Sequence, residues 1–135
     1  VGESGARPVE HTVAVPHDSA HDEALPDIDP DRFFGADLRV GRVLEVRPFP
    51  EARKPAYRLT VDFGPAIGTL ETSAQVTNYE PEELVGRLVV GAVNLGTRRI
   101  AGFESQFLVL GAVEADGGVR LLRPDGDPPP GTHIA

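Results

Sequence analysis

Cysteine, methionine and tryptophan are absent from the 135 residues. Without cysteine the chain makes no disulfide and offers no thiolate nucleophile or thiolate metal ligand, which fits a reducing compartment. No run of 18 apolar residues occurs, so no membrane-spanning helix is expected. The N-terminus has neither the basic start nor the apolar stretch of a signal peptide, and a cytoplasmic location is expected. Met is missing even at position 1, where a GTG start codon or trimming would each account for Val1. Catalytic signatures are missing too: there is no Gly-x-Ser-x-Gly elbow, no Walker loop and no His-Glu-x-x-His. The adjacent acids Glu82 and Glu83 read as the first turn of a helix, so neither an enzyme nor a cofactor is expected.

What is present suits a small β-rich domain. The hydrophobic fraction is 40%, enough for one core, and 15 Gly with 13 Pro favour short strands and tight turns over a helical bundle. The net charge of −8 is unevenly placed. Residues 1–31 hold eight acids and one base, hence −7, whereas residues 32–135 hold 13 acids and 12 bases, hence −1. The chain therefore divides into an acidic tail, 1–31, expected to be mobile, and a nearly neutral domain, 32–135. His11, His17 and His21, with Asp18 and Asp22, have metal-ligand side chains. No fold presets their geometry in such a segment, and no metal site is expected.

Periodicity places the elements. Asp29 caps a short helix with Pro30 at its first position, and Phe33 and Phe34 are expected to anchor it to the core. Leu38, Val40, Leu44 and Val46 fall on one face of a long first strand. Arg42 interrupts that face beside Gly41, where a bulge or bend is expected. Tyr57, Leu59, Val61 and Phe63 point inward from the second strand, and Ile67 to Ser73 forms a weaker third. Pro81 to Leu84 is one helical turn. Leu88–Val93 and Phe107–Val113 read as buried strands, Gly117-Gly118 as a hairpin turn, and Pro128 to Gly131 as a rigid exit. Five or more strands with one short helix between the third and fourth is the order of an all-β OB-fold barrel. A generic small barrel or sandwich fits the pattern as well.

Four blocks carry a resemblance. The segment from Ser73 to Leu95, Ser-Ala-Gln-Val-Thr-Asn-Tyr-Glu-Pro-Glu-Glu-Leu-Val-Gly-Arg-Leu-Val-Val-Gly-Ala-Val-Asn-Leu, resembles the tRNA-binding domain appended to methionyl- and phenylalanyl-tRNA synthetases and found as free-standing dimers. Asp37-Leu-Arg-Val-Gly41, Pro50 to Gly64, and Arg98 to Gly111 narrow this to the CsaA-type export-related chaperones. The synthetase branch carries Arg-Gly, two residues, then Ser-Gly-Met. Here Gly102 and Ser105 are kept, while Gln106 and Phe107 stand as in the CsaA branch and Glu104 adds a negative charge. The resemblance covers Phe33 to Ala135. It implies a five-stranded OB-fold with flanking strand and helix extensions used to form a homodimer. It also implies binding of unfolded or precursor polypeptides in support of export, with tRNA as the alternative partner. A purely structural dimeric scaffold is a third reading.

Candidate binding residues follow from both lines. Arg53, Lys54 and Arg58 form a basic group at the loop between the first two strands. They read either as phosphate or acidic-peptide ligands or as a solvated charged loop. Asn94, Arg98 and Arg99 lie in the loop that faces it across the usual OB cleft. Ser73, Gln75 and Ser105 are uncharged groups suited to a peptide backbone or, equally, to turn chemistry. Phe103, between Gly102 and Glu104, is a stacking platform or a dimer contact, whereas Phe107 is assigned to the core. No metal ligand and no membrane insertion is expected.

Overall fold

The computed structural model describes residues 23–135. The expectations for His11, His17, His21 and the rest of residues 1–22 lie outside them. A one-turn-and-a-half helix α1 (Pro30–Phe34) opens the fold. Asp29 caps it by accepting the Asp31 N–H at 3.1 Å, as its sequence signature requires. Then come β1 (Leu38–Pro48), β2 (Tyr57–Asp62), a single turn α2 (Gly64–Ile67) and β3 (Thr69–Ala74). A second single turn, α3 (Pro81–Leu84), leads into β4 (Leu88–Ala92). Five short strands follow: β5 (Arg98–Ile100), β6 (Phe103–Ser105), β7 (Leu108–Val109), β8 (Gly111–Val113) and β9 (Val119–Leu121).

The main sheet is antiparallel with the order β3-β2-β1-β4-β7. β1 holds it together because it is long enough to serve both sides: Leu38–Arg42 pair with β4, and Arg42–Pro48 pair with β2. The sheet curls until its outer strands meet. There the Gln106 N–H donates to the Glu71 carbonyl at 2.7 Å, and Gln106 Oε1 accepts the Glu71 N–H at 2.9 Å. The result is a nearly closed five-stranded barrel with α3 between β3 and β4, the OB-fold arrangement.

The core forms where the inward faces converge. Leu59, Val61 and Phe63 of the β2 segment are all fully buried, as their alternation predicts, and every residue of β4 is buried. Phe63 meets Phe107 edge to face, with centroids 4.8 Å apart. Two glycines make room for that ring. A Cβ on Gly41 would lie 2.7 Å from Phe63 Cε1, and one on Gly91 would lie 2.7 Å from Phe63 Cζ. Gly41 therefore serves close packing rather than a bend.

Four expectations are corrected. The β1 irregularity falls between Val43 and Glu45: Leu44 is the extra residue, so Val43 turns inward and Leu44 is 49% exposed. Phe33 and Phe34 do not anchor α1 to the core. They stack edge to face on each other and are 50% and 67% exposed, because so short a helix lies outside the barrel. The Pro128–Gly131 stretch is not an exit. After it the chain runs back along β1, with N–H groups of Val40, Gly131 and Ile134 donating to carbonyls of Thr132, Val40 and Leu38. Those bonds cover the edge of β1 that β4 leaves open. The expected strand Phe107–Val113 is also divided, into β7 and β8, with β8 leaving the main sheet to pair with β9.

Candidate functional site

The loop from Phe49 to Ala56 and the β5–β6 hairpin lean together over the β3 face of the barrel. A small second core joins them: Phe49, Ala56 and Phe103 are buried, with Ala52 and Ile100 packed against them. The Arg58 guanidinium lies 4.4 Å over the Phe103 ring centroid and 5.8 Å from that of Phe49. Apolar burial thus fixes the spacing of two segments whose hydrogen-bonded contact with the main sheet is slight.

Between them and β3 opens a cleft of about 300 Å³, at the small end of ligand-sized cavities. Its floor is apolar, built from Ala52, Ala56, Ala74, Ile100, Phe107 and Leu108, with Leu95 and Gly96 at one edge. Among the described residues, Arg53, Lys54 and Arg98 line it and no acidic residue does. Ser73 of β3 and Gln75 just beyond its end contribute polar groups, and neither side chain has a hydrogen-bond partner among the described residues. The arrangement offers apolar contact, hydrogen bonding and positive charge together. That is the chemistry of a site for a chain segment with apolar side chains and a polar or acidic backbone environment.

One wall is built by hydroxyls. Thr72, 2% exposed, donates from Oγ1 to the Phe107 carbonyl at 2.6 Å. Its oxygen then receives the Ser105 hydroxyl at 2.8 Å, and Ser105 Oγ accepts the Ser73 N–H at 3.2 Å. This relay stitches β3 to the β6–β7 segment where few backbone bonds do so.

Of the expected site residues, Arg53, Lys54, Ser73, Gln75, Arg98 and Ser105 all line the cleft. Ser105 does so as a buried member of the hydroxyl relay rather than as an open donor. Four others lie elsewhere. Phe103 is 8% exposed with Arg58 across its face, so it is no open stacking platform: the apolar cluster beneath the hairpin has drawn it inward. Arg58 projects from β2 onto that ring instead of belonging to the basic loop. Asn94 accepts the Asp37 N–H at 2.7 Å and donates to the Gly35 carbonyl at 2.8 Å, pinning the end of α1 to the end of β4. Arg99 pairs with Glu104 at 2.9 Å and with the Gly102 carbonyl, outside the cleft. Sequence reading missed Thr72 and the apolar floor. The signal for Thr72 was present, a hydroxyl on the inward side of β3 between Leu70 and Ala74 that burial obliges to find a partner.

Away from the cleft, the Tyr57 hydroxyl donates to the Tyr79 carbonyl at 2.8 Å. Its pKa is raised above the ordinary tyrosine value, first by burial and then by the negative charges of Glu80, Glu82 and Glu83. Among the described residues no three His, Asp or Glu side chains gather to hold a metal, and no helix is long and apolar enough to cross a membrane.

A nearly closed five-stranded barrel with an apolar, cation-lined cleft beside its third strand defines a ligand-binding module of the OB-fold class. Within that class, the profile of the tRNA binding domain family matches residues 38–133, and the chain belongs to that family. Its fold matches the crystal structure of the CsaA chaperone protein from Picrophilus torridus, with 46% identity, a TM-score of 0.77, and 81% of this chain and 100% of that one covered. The chaperone CsaA of Bacillus anthracis is 44% identical, with a TM-score of 0.77 and coverage of 82% and 100%. The methionine–tRNA ligase of Porphyromonas gingivalis is 36% identical over 121 residues, 87% of this chain. The chain spans only 18% of that enzyme's length.

Proposed function

We propose that the protein is a CsaA-like chaperone that holds unfolded or precursor polypeptides in support of export. The observation that carries this reading is the cleft itself. Its apolar floor accepts side chains of many shapes, the Ser73 and Gln75 side chains present hydrogen-bonding groups with no partner among the described residues, and its cations favour chains bearing acids. The likeness to two solved CsaA chaperones over their whole length supports the same conclusion. Suppression of aggregation of a denatured client, with modest dependence on salt, is the expected result. Failure to protect any client at several-fold molar excess would remove the reading.

A second reading, tRNA binding, is favoured by the family and by Arg53, Lys54 and Arg98. Among the described residues these three cations alone line the cleft, and Arg99 is paired with Glu104, which argues for a weaker phosphate contact than for polypeptide. Absence of a tRNA mobility shift at low salt would eliminate it.

On the same reading the protein is a cytoplasmic homodimer, its acidic residues 1–31 an appendage to a binding domain of residues 32–135. Exposed Leu25, Ile28, Phe33 and Phe34 on the segment before the barrel support self-association there. Light scattering that gives a monomer mass would refute the dimer, and Phe33→Ser with Phe34→Ser is expected to weaken it.

A further inference from the structure

We infer that residues 1–22 of this chain are themselves an occupant of the cleft, a tethered competitor that lowers its affinity for outside ligands. The inference rests on the reading that the cleft binds chain segments.

Charge and side-chain size match on both sides. Residues 1–22 carry Glu3, Glu10, Asp18 and Asp22 against a single base, Arg7, a net of −3. Among the described residues, the cleft is lined by three cations and no acid. The stretch Val9–Val15 sets Val9, Val13, Ala14 and Val15 among polar residues, small apolar groups of a size that suits a floor half made of alanines.

The tether supplies proximity. Asn94 clamps the turn after α1 by bonding both the Gly35 carbonyl and the Asp37 N–H, and the next two residues, Leu95 and Gly96, are part of the cleft edge. The chain thus enters the barrel at residues 35–37, beside the residue that precedes Leu95 and Gly96 of the cleft edge. An extended chain advances about 3.4 Å per residue, so 22 residues reach about 75 Å, more than twice the diameter of a domain this size. Reach sets no obstacle, and a short tether holds the effective concentration of the segment near the millimolar range. Weak ion pairs suffice for occupancy at such concentrations, yet a client with more apolar contact displaces the segment. The design sets a threshold for ligands rather than a block.

The deciding arm of the test, a nitroxide on the full chain, uses no client, so its outcome is independent of whether the protein is a chaperone. Because the chain has no cysteine, Ser4→Cys gives a single attachment point for a nitroxide at the far end of the segment. Selective loss of intensity is expected at the amides of Ser73, Gln75 and Gly96 relative to Gly126. It should recover between 0.1 M and 1 M NaCl, as the screening length falls from about 10 to about 3 Å. It should also vanish when Glu3→Gln, Glu10→Gln, Asp18→Asn and Asp22→Asn remove the acids. The same neutralised chain should bind dye-labelled, reduced and carboxymethylated lactalbumin about three- to tenfold more tightly. Equal intensity loss at Gly126 and Gly96, or loss that persists in the neutralised chain, overturns the inference. So does loss transferred to unlabelled partners in a mixed sample, which would show contact between chains rather than within one.

Discussion

Replacing Thr72 by valine keeps the shape of the side chain and removes one hydroxyl from a fully buried place. That hydroxyl donates to the Phe107 carbonyl and receives the Ser105 hydroxyl, so the change strands two buried polar groups at the seam where β3 meets the β6–β7 segment. Stranding a buried donor or acceptor costs about 1–3 kcal/mol, and relaxation of Ser105 toward the Ser73 N–H recovers part of it, leaving about 2 kcal/mol. Folding entropy scales with size, and for a domain of this length that loss lowers Tm by about 8 °C. In urea it lowers the midpoint by about 1 to 1.5 M at unchanged slope. Ser105→Ala removes the next link of the same relay. The double variant is expected to lose clearly less than the sum of the single losses, because the two hydroxyls act on one another. Chemical denaturation followed by far-ultraviolet circular dichroism measures all three. A Thr72→Val protein within about 0.5 kcal/mol of the parent would show that the backbone and side-chain bonds of Gln106 to Glu71 close the barrel without the relay, and strict additivity would show that the two hydroxyls act independently.

Gly91→Ala should destabilise by about 1–3 kcal/mol, since its Cβ would lie 2.7 Å from Phe63 Cζ and 2.9 Å from Phe107 Cδ2; Phe63→Leu in the same chain should return part of the loss. Any polyanion bound at the cleft should show a plot of log K against log salt no steeper than about −3, flattened by about two with Arg53→Ala and Arg98→Ala and left nearly unchanged by Arg99→Ala. Stability should fall as pH rises above 10, because the unfolded Tyr57 loses its proton there while the folded one, with its pKa raised, keeps it. Urea midpoints measured from pH 9 to 11 should decline less steeply for Tyr57→Phe than for the parent.

The parts of the fold that were legible in the sequence are those where burial imposes a simple period. β2 alternates because one face is in the core, and β4 is apolar throughout because both faces are. The bulge at Leu44 leaves no local mark, since Val43, Leu44 and Val46 are equally good strand residues and only pairing with β2 decides which faces inward. Phe33 and Phe34 misled for the opposite reason. Aromatics suggest burial, yet the position of α1 outside the barrel leaves Phe33 50% and Phe34 67% exposed. At the site, exposed charged residues in loops were readable as rim groups. Phe103 and Asn94 were not, because their roles depend on partners far away in sequence: Phe49 and Ala56 for one, Gly35 and Asp37 for the other.

The most direct test of the cleft as a polypeptide site is a titration of the isotope-labelled protein with reduced, carboxymethylated lactalbumin, followed through its backbone amides. The account predicts saturable shifts concentrated at Ser73, Gln75, Leu95 and Gly96, surviving 0.5 M NaCl in reduced form and lost with Arg53→Ala, Gln75→Ala and Arg98→Ala together. Shifts confined to other faces of the barrel, or no shift with polypeptide while tRNA perturbs these same amides, would contradict it.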